Sequence, residues 1–413
     1  MNSRERVLAA VEHKQPDRVP IDLGATPSSG ISAIAYGRLK QRLGLRGGHN
    51  RIYDVVQQVA QPEDEILDRF RIDVVDVGRA FNTAEDDWYD IKLFDGSAAQ
   101  YPRWFRPRPR PDGGWGVDAP DGTEIAIQLK GMNFFDQTCF PWVDGYPDDF
   151  RELRRDMAKV HWAALAPSPW DNAARPDFWE KLRLNALALR RQTDRAIIVG
   201  CSSNLFEWGA FLRRMDNFLM DLAAQPAAVE RFLDALMDVH LDTLIKVCGA
   251  VGDIADIIRF GDDLGMETGP LMSRETYRRF FKPRQARLFD VVKKRSGMKT
   301  FLHSCGSIAQ YLPDLIDAGL EIINPVQTSS YGMAPERLKA EFGRDITFWG
   351  GGCDTRTILN RAAPRDVKDH VKRRLEIFSK GGGFVFCAVH NILPDVPPEN
   401  ILAMFEAVEE FNG

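Results

Sequence analysis

A histidine and a cysteine two positions apart, at the end of an apolar run, are the residues of this chain best suited to chemistry. They stand in Thr300-Phe301-Leu302-His303-Ser304-Cys305-Gly306-Ser307. Side chains two apart on a strand point the same way, so His303 and Cys305 can share a face, and Gly306 permits the turn that follows. Imidazole plus thiolate is a good zinc pair. The same residues also suit a plainer arrangement, a buried thiol beside a hydrogen-bonded histidine. Two further run ends carry comparable groups: Cys353 in Phe348-Trp349-Gly350-Gly351-Gly352-Cys353-Asp354-Thr355, and His390 in Phe384-Val385-Phe386-Cys387-Ala388-Val389-His390-Asn391. Cys387 lies an odd number of residues before His390, so with His390 inward it is expected to face outward as a small buried hydrophobe. Carboxylates mark two more ends. Asp262 and Asp263 follow Arg259-Phe260-Gly261, and Glu207 follows Ser202-Ser203-Asn204-Leu205-Phe206. Such groups bind a cationic or hydroxylated substrate, or serve as acid and base when like charges push their pKa values apart. Solvated acids capping a helix turn are the alternative use of the aspartate pair.

These side chains can meet only if the elements that carry them converge. Short β-branched and apolar runs occupy residues 18–24, 72–77, 196–200, 254–260, 299–303, 320–326, 346–350 and 383–389, each followed by a helical stretch. That alternation marks parallel α/β architecture, and eight such units make a (β/α)₈ TIM barrel, whose strands all end at one mouth. A doubly wound open sheet competes, but no Gly-x-Gly-x-x-Gly follows the first run. Residues 86–142, between the second and third runs, break the pattern. They are rich in Gly, Pro, Asp and aromatics, with hairpin turns at Asp95-Gly96 and Asp121-Gly122. This reads as a β-rich insertion serving as a lid over the mouth, a structural flap or a homodimer contact. With no repeat of solenoid period, the reading is one domain over residues 1–413.

Composition narrows the function classes. With 44% apolar and 27% charged residues among 413, the chain is an ordinary globular protein. A net charge of −5 supplies no basic face for nucleic acid. No run approaches the ~18 apolar residues of a membrane span, and the charged start is unlike a signal peptide. Six scattered cysteines suit a reducing compartment. The expectation is a cytoplasmic protein with neither nucleic-acid nor membrane partners.

Taken together, the motifs carry a resemblance. The stretch Gly383-Phe384-Val385-Phe386-Cys387-Ala388-Val389-His390-Asn391-Ile392-Leu393-Pro394-Asp395-Val396-Pro397-Pro398-Glu399-Asn400 resembles the eighth-strand signature of uroporphyrinogen decarboxylase, which ends in Gly-His-Gly-Ile followed by Pro, Pro and Glu-Asn. The opening Arg4-Glu5-Arg6 through Pro16-Asp17-Arg18-Val19-Pro20 is also similar to that superfamily's entry into its first strand. The decarboxylases themselves follow this strand with Arg-Gln-Ala-Gly-Arg, which binds substrate carboxylates. Here the chain reads Ile21-Asp22-Leu23-Gly24-Ala25-Thr26-Pro27-Ser28-Ser29-Gly30, and a polyanionic tetrapyrrole would lack its compensating charge. The resemblance therefore implies the superfamily's other branch, zinc-dependent methyltransferases working with corrinoid proteins or thiol acceptors such as coenzyme M. Their zinc is held by a His-x-Cys strand end, matched by His303 and Cys305, and by a later cysteine whose position carries His390 here. Either His390 or Cys353 is then the third ligand to one zinc ion per chain, with Asp262, Asp263 and Glu207 shaping the substrate side. The partners implied are a small-molecule methyl donor or acceptor and a corrinoid protein. The corrinoid must arrive on a second protein, because no Asp-x-His-x-x-Gly signature is present. A decarboxylase of a smaller carboxylic acid is the alternative, and a noncatalytic metal or redox sensor the third reading.

Overall fold

The computed structural model describes residues 1–413. Seven parallel strands pair in chain order: β2 (Val74–Asp76), β3 (Ala196–Gly200), β4 (Ile257–Gly261), β5 (Lys299–His303), β6 (Ile322–Asn324), β7 (Thr347–Trp349) and β8 (Phe384–Val385). The eighth stave, β1 (residues 20–22), is a single parallel bridge between Ile21 and Phe386. Phe386 N donates to Pro20 O (2.9 Å), Asp22 N to Phe386 O (2.8 Å) and Asp73 N to Ile21 O (2.8 Å), which closes the sheet into a barrel. Pro20 has no N–H to donate, so a longer ladder cannot start there.

The period of two along the staves produces two cores. Ile197, Val199, Ile258, Phe260 and Leu302 face the surrounding helices. Between them, Ala196, Ile198, Ile257, Phe301, Trp349 and Val385 pack inside the barrel with Val7, Ala10 and Val11 of the first helix, Ser3–Val11. That helix starts with an Asn2–Glu5 capping box and lies across the N-terminal ends of the strands, where Gly383 N donates to Ala10 O (2.7 Å). One end of the barrel is thus plugged, and function is left to the other. Cys387 belongs to the inner core, not to the outer layer expected from its spacing to His390. The regular strand stops at Val385, and His390 sits at φ 69°, so alternation does not connect the two residues.

The β-rich insertion is present. A hairpin of Trp88–Lys92 with Ala98–Pro102 precedes a four-stranded antiparallel sheet of Arg108–Pro109, Trp115–Asp118, Glu124–Gln128 and Asp136–Gln137. Gly96 and Gly122 take positive φ at the two turns. The insertion docks on a small sheet that the sequence did not announce, Ile31–Ser32, Ile52–Asp54 and Val59–Ala60, through Gln100 N to Asn50 O (2.8 Å) and Phe135 N to Val56 O (2.9 Å). None of its residues lines the cavity at the mouth; the wall there comes from the segment after it, with Met157, Trp162 and Trp170. No helix is long and apolar enough to cross a membrane.

Candidate metal centre and cavity

His303 is the last residue of β5 and shares the inward face of Phe301 two residues earlier. Cys305 follows on the loop, and its Sγ stands 3.4 Å from His303 Nε2. His390, past the end of β8, is swung into the mouth by its left-handed backbone, and its ring centroid lies 5.4 Å from that of His303. One ligand atom from each of His303, Cys305 and His390 falls within 4.8 Å of the others. Cys353 stays outside this group: Gly350 (φ 115°) and Gly351 (φ 70°) turn the chain after β7, and the Cys353 side chain packs into the outer core.

The far nitrogens of both histidines are spoken for. His303 Nδ1 meets Asn324 Oδ1 at 2.6 Å, at the end of β6, while Asn324 Nδ2 donates to Trp349 O (2.9 Å). Because the amide nitrogen is committed to a carbonyl, Oδ1 must accept, so His303 carries its proton on Nδ1 and keeps the Nε2 lone pair free. Ser28 Oγ donates to the same Oδ1 (3.1 Å). At His390 the arrangement repeats: Nδ1 meets Asn391 Oδ1 (3.0 Å), and Asn391 Nδ2 donates to Gln57 Oε1 (3.2 Å). Burial holds the His303 imidazole down at about 3 and lowers that of His390 as well, so both are neutral near pH 7. Burial, then Asp263 and Glu207, push the Cys305 thiol well above its ordinary value. A divalent cation reverses that preference, since it pairs the thiolate.

Two neutral imidazoles with free Nε2 atoms and one thiol fit a zinc donor set, supplying three of the four donors that tetrahedral zinc takes. Asp263 Oδ1 accepts from Cys305 N (2.8 Å) and lies 3.7 Å from His303 Nε2, steadying the loop.

The two histidines look into a cavity of about 660 Å³, and Cys305 stands behind His303. Asp263 and Glu207 line it, as do Tyr53 and Asp54 from the first connection, Asp76 at the end of β2 and Arg259 from β4. Asp262 does not. Its neighbours Gly261 and Asp263 turn to the cavity, and its own carboxylate accepts from Glu207 N (3.0 Å), capping the helix Phe206–Arg213. Glu207 accepts from Asn204 Nδ2 (2.5 Å); burial, then Asp263 and Asp262, raise its carboxyl well above the usual range. Burial also lifts Asp76 to about 7. The rest of the wall is mixed: Trp208 and Phe211 stand with Trp162 and Trp170, and Gln57, Arg154, His240 and Thr243 add polar groups. Asn324, Asn391, Tyr53, Asp76 and Arg259 were not singled out in the sequence, although Arg259 sits two residues from inward-facing Ile257 and Asn324 is a polar residue inside the apolar run 320–326.

Residues 184–411, more than half of the chain, match the family described as Uroporphyrinogen decarboxylase (URO-D). The chain belongs to this family. A uroporphyrinogen decarboxylase of Methylococcus capsulatus is 25% identical over 282 residues, covering 66% of this chain and 74% of that protein. The family likeness also reaches methyltransferases: the methylcobamide:CoM methyltransferase MtaA of Methanosarcina barkeri is 27% identical over 176 residues, 42% of this chain and 48% of that one. Among solved structures, a methyltransferase from Methanosarcina mazei aligns over 100% of both chains with a TM-score of 0.60 at 17% identity, which speaks to the barrel fold alone. Family and relatives make this chain one of a group of enzymes that includes both decarboxylases and methyltransferases.

Proposed function

We propose that this URO-D family member is a zinc-dependent methyltransferase that moves a methyl group between a small methylated compound or a corrinoid protein and a thiol or cobalt acceptor. The carrying observation is that one ligand atom from each of His303, Cys305 and His390 lies within 4.8 Å of the others, with both histidines lining the cavity. A zinc ion held there supplies the charge that keeps an acceptor thiol ionised at neutral pH, which makes it a nucleophile toward a methyl carbon. The chain's own residues do the rest. Asn324 and Asn391 hold the two imidazoles in the binding tautomer, the Asp263 carboxylate fixes the Cys305 backbone, and Trp170, Trp208 and Phe211 offer a surface for the apolar part of a substrate. In the reaction the S–CH₃ bond forms as the bond from carbon to its carrier breaks, and the carrier keeps the electron pair.

The missing arginine pair after β1 supports this reading over tetrapyrrole decarboxylation, because residues 21–30 contain no cationic side chain. A second reading, a carboxy-lyase of a smaller acid, draws on Asp76: a cavity carboxyl held near 7 is a proton donor for the carbanion that loss of CO₂ leaves. The test is an assay with methylcob(III)alamin and a panel of thiols, following the cobalt spectrum. Methylated thiol is expected from the zinc-loaded protein and not from Cys305→Ser. Absence of exchange with every acceptor, together with CO₂ release from a carboxylic acid, transfers the assignment to the lyase.

A further inference from the structure

The cavity holds two polar side chains that nothing in the chain satisfies. Arg259 is the middle residue of β4, two on from inward-facing Ile257, and it lines the cavity. It makes no ion pair within the chain, and its buried Nε has no hydrogen-bond partner. Tyr53, on the small sheet of the first connection, is 8% exposed, lines the same cavity, and leaves its hydroxyl without a partner. The two stand close enough for each to feel the other's charge. Buried donors are ordinarily satisfied, and a guanidinium more strictly than most, so an unpaired guanidinium and phenol facing one space indicate a ligand that completes them.

The neighbouring carboxylates do not fill that role. Asp54 accepts from the backbone and the side chain of Gln57, both at 2.9 Å. Glu207 is engaged by Asn204, and Asp263 by the Cys305 backbone. They act on Arg259 only through space: they help keep it charged and leave its donors open.

We propose that Arg259 and Tyr53 form a subsite for the single carboxylate of a small substrate whose apolar body lies against Trp170, Trp208 and Phe211. One guanidinium fork matches one carboxylate by two parallel hydrogen bonds, and the phenol adds a third. A second carboxylate on the ligand would meet Asp54 or Asp263, so the subsite selects monoanions. This inference rests on the cavity being the substrate site of the proposed enzyme, not on which reaction is run there.

The experiment is calorimetric titration of the zinc-loaded full-length protein with benzoate, its neutral analogue benzamide and the dianion phthalate. Benzoate is expected to bind at least about 10-fold more tightly than either of the others. Arg259→Gln is expected to weaken benzoate by roughly 10- to 100-fold and Tyr53→Phe by about 3- to 10-fold, with benzamide binding and metal content unchanged. Arg259→Lys keeps the charge and loses the fork, so it falls between; with Tyr53→Phe it carries the test if Arg259→Gln does not fold. Failure of benzoate to bind, equal binding of benzamide, or indifference to both Arg259 variants overturns the subsite. Benzoate binding without methyl exchange removes the methyltransferase and leaves the subsite; methyl exchange without carboxylate binding does the reverse.

Discussion

An imidazole gives a metal one nitrogen at a time, so the group on the other nitrogen decides which one is offered and in what direction. At His303 that group is Asn324, whose own amide is anchored on Trp349 O, and at His390 it is Asn391 anchored on Gln57. Asn324→Ala is therefore expected to lower zinc affinity by roughly 10- to 100-fold without abolishing it, read by competition with a chromophoric chelator. His303→Ala with Cys305→Ser is expected to abolish stoichiometric zinc, and full retention in that double variant would discard the centre. His303 and Cys305 were legible because β5 runs regularly up to the histidine, so two-residue spacing still means a shared face. Cys353 and His390 were legible only by type. Each lies beyond its strand, after a residue at positive φ or at one itself, where alternation no longer predicts direction. Nothing in the sequence marks Tyr53, which reaches the cavity from a strand of three residues.

The loops after β4 and β5 hold each other at backbone distance, and that contact sets where Cys305 stands. Gly306 takes φ 81°, and a methyl group on it would come 2.4 Å from Gly265 C and 2.5 Å from Gly265 O. Across the same contact Ser307 N donates to Met266 O (2.8 Å) and Leu264 N to Ser304 Oγ (3.1 Å). Gly306→Ala thus meets both a disfavoured conformation and a backbone clash. It is expected to cost more than about 1 kcal/mol in urea unfolding and to reduce bound zinc in the folded fraction. Wild-type stability and full metal in that variant would mean the two loops part easily. At this scale the barrel was readable from the chain: β3 and β5 occupy the expected residues, because apolar runs of five bounded by turns leave little choice. The sheet formed by Ile31–Ser32, Ile52–Asp54 and Val59–Ala60 was not, since strands of two or three residues are too short to show a period. The same holds for the cavity wall between the insertion and β3, built from short helical turns such as Leu153–Met157 and His161–Ala164.

Across the whole molecule, buried carboxyls of opposite tendency set how stability responds to pH. Burial raises Asp22 to about 6 despite hydrogen bonds from Trp349 Nε1 and Ala25 N, and raises Asp262 to about 7 despite its capping bonds. At Asp314 burial also pushes upward, but hydrogen bonds from Arg274, Lys282 and Arg278 outweigh it and hold the carboxyl at about 2. For the first two, the unfolded chain releases its proton near 4 while the folded one keeps it to about 6 or 7. Their stabilisation is therefore complete below about 4 and is lost as pH rises through 6 to 7. For Asp314 the sign reverses: its contribution is present above about 4 and lost as pH falls toward 2. Asp262→Asn is accordingly expected to flatten the pH 4 to 7 arm, gaining on the wild type by at most about 1.4 kcal/mol per pH unit as pH rises. Asp314→Asn is expected to cost about 1–3 kcal/mol at pH 7, an ion-pair loss tempered by the half-exposed arginines, and to cost progressively less below pH 4. Urea unfolding of the wild type and both variants from pH 3 to 8 measures each difference directly. A pH-independent gap between wild type and Asp262→Asn would show that Asp262 is ionised in the folded state, making it an anionic cap on the helix Phe206–Arg213.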